Sequence, residues 1–209
     1  MREPLLVAQT GRGRPLQRRG GAGHGDCELG GQTNELLTSI VPRFSGEGLT
    51  VDPHPTFWVY VPYALSDSQS MQFLLKDQSG KTIYQPNLMG ARELPGIMNL
   101  RLPADVTLAE DQQYTWTFTV ICGEMKLTVE GAVTRLARSP ELEDALRAAT
   151  TPQAQADVYR NFGLWLDALT VLAEQRQTKP NDAAIASAWN ELLNAIQLDD
   201  VADKPIVGG

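Results

Sequence analysis

Few side chains in this 209-residue chain could do chemistry, and they are widely spread. It has two histidines, His24 and His54, and two cysteines, Cys27 and Cys122. Together these offer two nitrogens and two sulfurs, a donor set suited to tetrahedral zinc. But His24 and Cys27 are the one close pair, and they sit in a glycine run that would hold a metal poorly. No metal and no other cofactor is expected. A second reading joins Cys27 to Cys122 in a disulfide that encloses about 95 residues and forms only in an oxidising compartment. The third leaves two inert buried thiols.

Enzyme motifs fare worse. Ser79-Gly80-Lys81-Thr82 imitates the tail of a phosphate-binding loop, yet Leu75 stands where its first glycine belongs and no strand-to-helix turn follows. A serine triad would depend on His54, which lies between two prolines, and no nucleophile elbow is present. Asp199 and Asp200 lie among polar neighbours and read as solvated. A spatial pair of carboxylates, the requirement of a glycosidase, leaves no mark in sequence. The expectation is therefore a protein that is not an enzyme.

The other chemical signal is aromatic. HPTFWVYVPY, residues 54–63, reads as a strand with Phe57, Val59 and Val61 on one side and Trp58 and Tyr60 on the other. Both sides are apolar, so something must cover the second one. It is either a helical layer bearing Trp165 and Trp189, or a partner. Trp58, Tyr60, Tyr63, Trp165 and Trp189 are accordingly the candidate binding surface, with a protein partner expected and a glycan possible.

The elements that would position these residues fall into three zones. Residues 1–26 form a Gly/Arg-rich arm expected to be disordered. Residues 1–25 hold five arginines against one acid, whereas the rest of the chain holds 13 basic and 24 acidic residues. Arg12, Arg14, Arg18 and Arg19 would suit an anionic partner in the cell envelope. Nucleic acid is not expected, because no aromatic residue is interleaved for base stacking. No apolar run is long enough for a membrane span.

Residues 27–138 carry β grammar. YTWTFTVIC (114–122) alternates strictly, with threonines at 115, 117 and 119 on the outward face. Hairpin partners follow it at 125–136 and flank Gln78-Ser79-Gly80. NELLTSIVP (34–42) reads as a first strand. About seven short strands predict an antiparallel β-sandwich in an α+β protein. Leu108 six residues before Tyr114 is similar to the tyrosine corner of immunoglobulin and fibronectin type III domains.

From 139 to 209 the pattern is helical. Ser139-Pro140-Glu141 and Thr151-Pro152 are helix starts, Gly163 interrupts, and Asn181 or Asp182 can cap a last helix. The stretch VYRNFGLWLDALTVLAEQRQTKPND (158–182) resembles the tetratricopeptide pattern at Tyr159, Gly163, Trp165, Ala168, Leu169 and Pro180. At most one and a half repeats fit, which implies a helical annex packed on the sandwich rather than a free array.

More widely, RGRPLQRRGGAGHGDC, HPTFWVYVPY, LPGIMNLRLP, YTWTFTVIC and FGLWLDALTVLAE, in that order, resemble the cyanobacterial domain of unknown function 928 over residues 12–207. The resemblance implies an exported protein, periplasmic or secreted, with no assigned chemistry and hence no catalytic residues. The chain opens without a signal peptide, so export presumes that a leader has been removed. The functional expectation is non-enzymatic binding or scaffolding through protein contacts. The alternative is a carbohydrate- or peptidoglycan-related module with paired carboxylates.

Overall fold

The computed structural model describes residues 17–20, 35–42, 45–65, 69–88 and 95–207. Nine strands are seen among them: β1 (Thr38–Ser39), β2 (Glu47–Thr50), β3 (Thr56–Val61), β4 (Gln69–Lys76), β5 (Thr82–Tyr84), β6 (Asn87–Leu88), β7 (Gly96–Arg101), β8 (Gln112–Cys122) and β9 (Met125–Arg135). Four helices follow: α1 (Pro140–Ala148), α2 (Pro152–Asn161), α3 (Trp165–Thr178) and α4 (Ala183–Ala195).

The strands form two sheets, one ordered β1-β3-β7 and one β2-β9-β8-β4-β5, with β6 also on β4. The period-two pattern of β8 is realised as predicted from Tyr114 to Phe118, but Thr119 is buried, its hydroxyl bonded to that of Thr128, and Cys122 is only half-buried. Tyr114, Trp116, Phe118 and Val120 are buried, while Thr115 is exposed. Phe57 of the smaller sheet meets Phe73 at 5.0 Å and Trp116 at 5.5 Å across the layer, so the two sheets share one aromatic core. Trp116 fits because its cross-strand neighbour is Gly131, where a Cβ would lie 2.4 Å from the indole.

Two features depart from the antiparallel expectation of about seven strands. β2 runs parallel to β9, with Glu47 opposite Ala132 and Thr50 opposite Arg135. The β1 core is also shorter than the predicted 34–42 segment. Its flanks, Leu37 and Ile40, are fully buried, but Ile40 N–H bonds Trp58 O and Gly20 N–H bonds Leu37 O outside the regular ladder. The corner tyrosine behaves as its spacing predicts: its hydroxyl accepts from Ala109 N–H at 3.0 Å.

The helix starts are also those predicted. Ser139 accepts from Leu142 N–H, Thr151 from Ala154 N–H, and Asp182 from the N–H groups of Ala184 and Ile185. Gly163, at φ +75°, ends α2. α3 then lies across β2 and β3. It comes so close to β2 that a Cβ on Gly48 would stand 2.7 Å from Leu166. That helix layer covers the second apolar side of β3.

Part of the expected disordered arm is ordered structure. Arg18 O accepts from Ser39 N–H at 2.9 Å and Gln17 O from Glu130 N–H at 2.8 Å, so residues 17–20 stitch β1 to β9. On the far edge, Ile97 N–H bonds Pro205 O, and Val207 N–H bonds Ile97 O. Both outer edges of the small sheet thus have backbone partners. Unpaired sheet edges invite association, and here the chain's own flanking segments occupy them.

Candidate functional site

The aromatic residues expected to form a binding surface do not form one. Trp58, Tyr60, Tyr63, Trp165 and Trp189 are all buried, none more than 9% exposed. The physical reason is the helix layer and the tail after α4. Trp58 Nε1–H donates to Thr170 Oγ1 on α3 at 3.2 Å. Trp189 Nε1–H donates to Ala202 O at 2.9 Å beneath the Arg176 guanidinium. The Tyr60 hydroxyl donates to the Glu35 carboxylate, which also receives Lys204 Nζ at 2.5 Å. Burial and the Glu35 charge push the Tyr60 phenol well above its ordinary range. Among the described residues the Trp165 indole N–H has no hydrogen-bond partner.

The other predicted groups are dispersed. Arg19 pairs with Asp200 at 2.8 Å, while Asp199 and Asp200 are both exposed, as their polar neighbours predict. Arg18 O lies in the β1 edge; Arg12, Arg14, His24 and Cys27 lie outside the described residues. Cys122 ends β8, its sulfur accepting from Gln69 Nε2 at 3.6 Å. His54 Nδ1 is hydrogen-bonded to Val106 O at 3.1 Å. Ser79 to Lys81 form a hairpin turn around Asp77 Oδ1, which accepts from both backbone N–H groups.

What the structure brings together instead is a cleft of about 270 Å³ between α3 and the connection from β2 to β3. Its inner wall is built on α3. Asp167, Thr170 and Glu174 are three and four residues apart, hence on one helical face. Thr50, Asp52 and Thr56 line the sandwich side, and Arg101, Arg138 and Tyr159 complete the rim. The polarity is mixed, with two guanidinium groups interleaved among three carboxyls.

Within the cleft, Asp167 is a group whose chemistry burial alters. It is 9% exposed. Burial, the largest influence, pushes its carboxyl up from 3.8 to about 6; a bond from the Thr50 hydroxyl and one from Val51 N–H pull the other way, and the Asp52 charge adds to the rise. The Val51 bond is 3.2 Å long and ties α3 to the sandwich. Asp52 is held as well. Its Oδ1 accepts from His54 N–H at 2.8 Å, and its Oδ2 accepts from Arg101 at 3.2 Å. Arg138, in contrast, forms no ion pair among the described residues. A carboxyl raised in this way can donate a hydrogen bond to a polar ligand as well as accept one from it.

None of these residues stood out in the sequence as a site; Tyr159 was noted only as part of the tetratricopeptide-like pattern. Asp167 sits inside an apolar helical run, where a lone carboxylate is a faint sign of an unusual environment. The rest of the cleft, outside α3, comes from four separate stretches of chain.

No curated protein matches this chain. Two solved structures of the beta-glucuronidase of Parabacteroides merdae, one with glycerol in its active site, are similar at 15% identity. Their TM-scores are 0.26 and 0.25, and they cover 79% and 71% of this chain. The chain spans about a third of their length, 33% and 30%. A family model described as Domain of Unknown Function (DUF928) matches residues 17–206, and the chain belongs to that family.

Proposed function

We propose that this protein is a non-enzymatic binding module of the periplasm or cell exterior, and that the cleft beneath α3 is its working surface. One observation carries the reading: the carboxyls nearest the cleft floor are engaged by the protein's own groups. Asp167 braces Val51 N–H, and Asp52 braces His54 N–H and Arg101. Groups held this way are fixed in place, as positioning a ligand requires. Arg138 and Glu174, which form no ion pair among the described residues, are the charged groups of the cleft available to an incoming partner. The helical annex, read as tetratricopeptide-like, would frame the partner on one side. A Cys27–Cys122 bridge belongs to the same reading, and it is supported by Cys122 not being a free thiol.

The test is capture of envelope components by the wild-type protein and by Arg138→Gln and Glu174→Gln variants. Loss of capture in both variants, with unchanged melting curves, supports the cleft as the working surface. Capture that survives both changes overturns it.

A second reading has an observation of its own. Asp167 is raised towards neutrality and Asp52 stands beside it, an arrangement that can separate an acid from a base. On that reading the protein is a hydrolase acting on carbohydrate or peptidoglycan. Release of reducing ends from purified cell-wall material, abolished by Asp52→Asn and Asp167→Asn separately, would establish it.

A further inference from the structure

From the make-up of the cleft we infer that its ligand is a single sugar ring, a hexopyranose unit presented by a glycan and gripped through adjacent hydroxyls. This rests on the cleft being the working surface. Each sugar hydroxyl both donates and accepts a hydrogen bond, so a matching site must interleave the two capacities. Arg101 and Arg138 can only donate, the Asp167 and Glu174 carboxylates accept, and the Thr56 and Tyr159 hydroxyls do either.

Ligands of one character match less well. An anion would meet Asp167 and Glu174; a cation would meet Arg101 and Arg138. An apolar ligand would strand all four charges without water, at a high cost in free energy. The volume, about 270 Å³, lies just below the roughly 300–1,000 Å³ of pockets for drug-sized ligands and suits one compact ring. The half-buried ring of Tyr159 adds an apolar surface of the kind a pyranose face can lie against.

The test is calorimetric titration of the full chain with glucose, galactose and mannose, and with L-alanine as a small zwitterion of mixed charge. The expected result is saturable binding of at least one hexose with a dissociation constant on the order of 1 mM, and none of alanine. Arg138→Gln and Glu174→Gln should each weaken that binding at least about tenfold, equivalent to about 1.4 kcal/mol, with the melting temperature unchanged. Binding of alanine without hexose, no saturation by any hexose, or hexose binding indifferent to both variants would each overturn the inference. If hexoses fail while the two variants still abolish capture of envelope components, the ligand class is wrong but the cleft remains the working surface.

Discussion

Replacing Asp167 by Asn should make the protein more stable at neutral pH and leave it little changed in acid. The folded-state carboxyl titrates near 6 and the unfolded one near 3.8, so folding favours the protonated form. The cost of keeping Asp167 charged in its buried position is therefore absent below the unfolded value. It grows between the two values and is complete above the folded one. At about 1.4 kcal/mol per pH unit the interval amounts to about 3 kcal/mol. Asparagine keeps a carbonyl oxygen for Val51 N–H without the charge. Other groups titrate as well: Glu35, beside Lys204, and Asp200, beside Arg19, are both held below the usual carboxylate range and favour the fold as pH rises. The difference between wild type and variant cancels them. Urea unfolding followed by tryptophan fluorescence, at about pH 4 and about pH 7.5, should show the variant gaining up to about 3 kcal/mol relative to wild type between the two conditions. A stability difference that is the same at both pH values would refute the argument that burial dominates at Asp167.

Trp58→Ala removes a buried indole and its bond to Thr170, and should cost about 3–5 kcal/mol in denaturant unfolding; an unchanged melting curve would contradict its place under α3. Gly131→Ala puts a methyl against the Trp116 ring and should cost about 1–3 kcal/mol, with a shift in tryptophan emission. Tyr114→Phe removes the acceptor for Ala109 N–H and should cost about 1 kcal/mol in the same assay. If Cys27 and Cys122 are joined, protein unfolded without reductant will show no reactive thiol, and reduction will lower stability by up to about 4–5 kcal/mol; two titratable thiols would rule the bridge out.

The sequence by itself determined what depends on near neighbours along the chain. The alternation of β8 follows from the pleat, and the three helix starts from hydroxyl or carboxylate caps that satisfy local N–H groups. The aromatic pairing of Trp58 with Tyr60 showed that β3 needs cover on both sides, without saying by what. Only tertiary structure decided that α3 provides it, because that depends on a close approach at Gly48. The same holds for the parallel β2–β9 pairing and for residues 17–20 at the β1 edge, whose polar Gly/Arg composition carries no apolar period. The cleft was the least legible feature. Asp167 and Asp52 are 115 residues apart, and a carboxyl acquires its raised proton affinity from burial and neighbours, which exist only after the layers have closed.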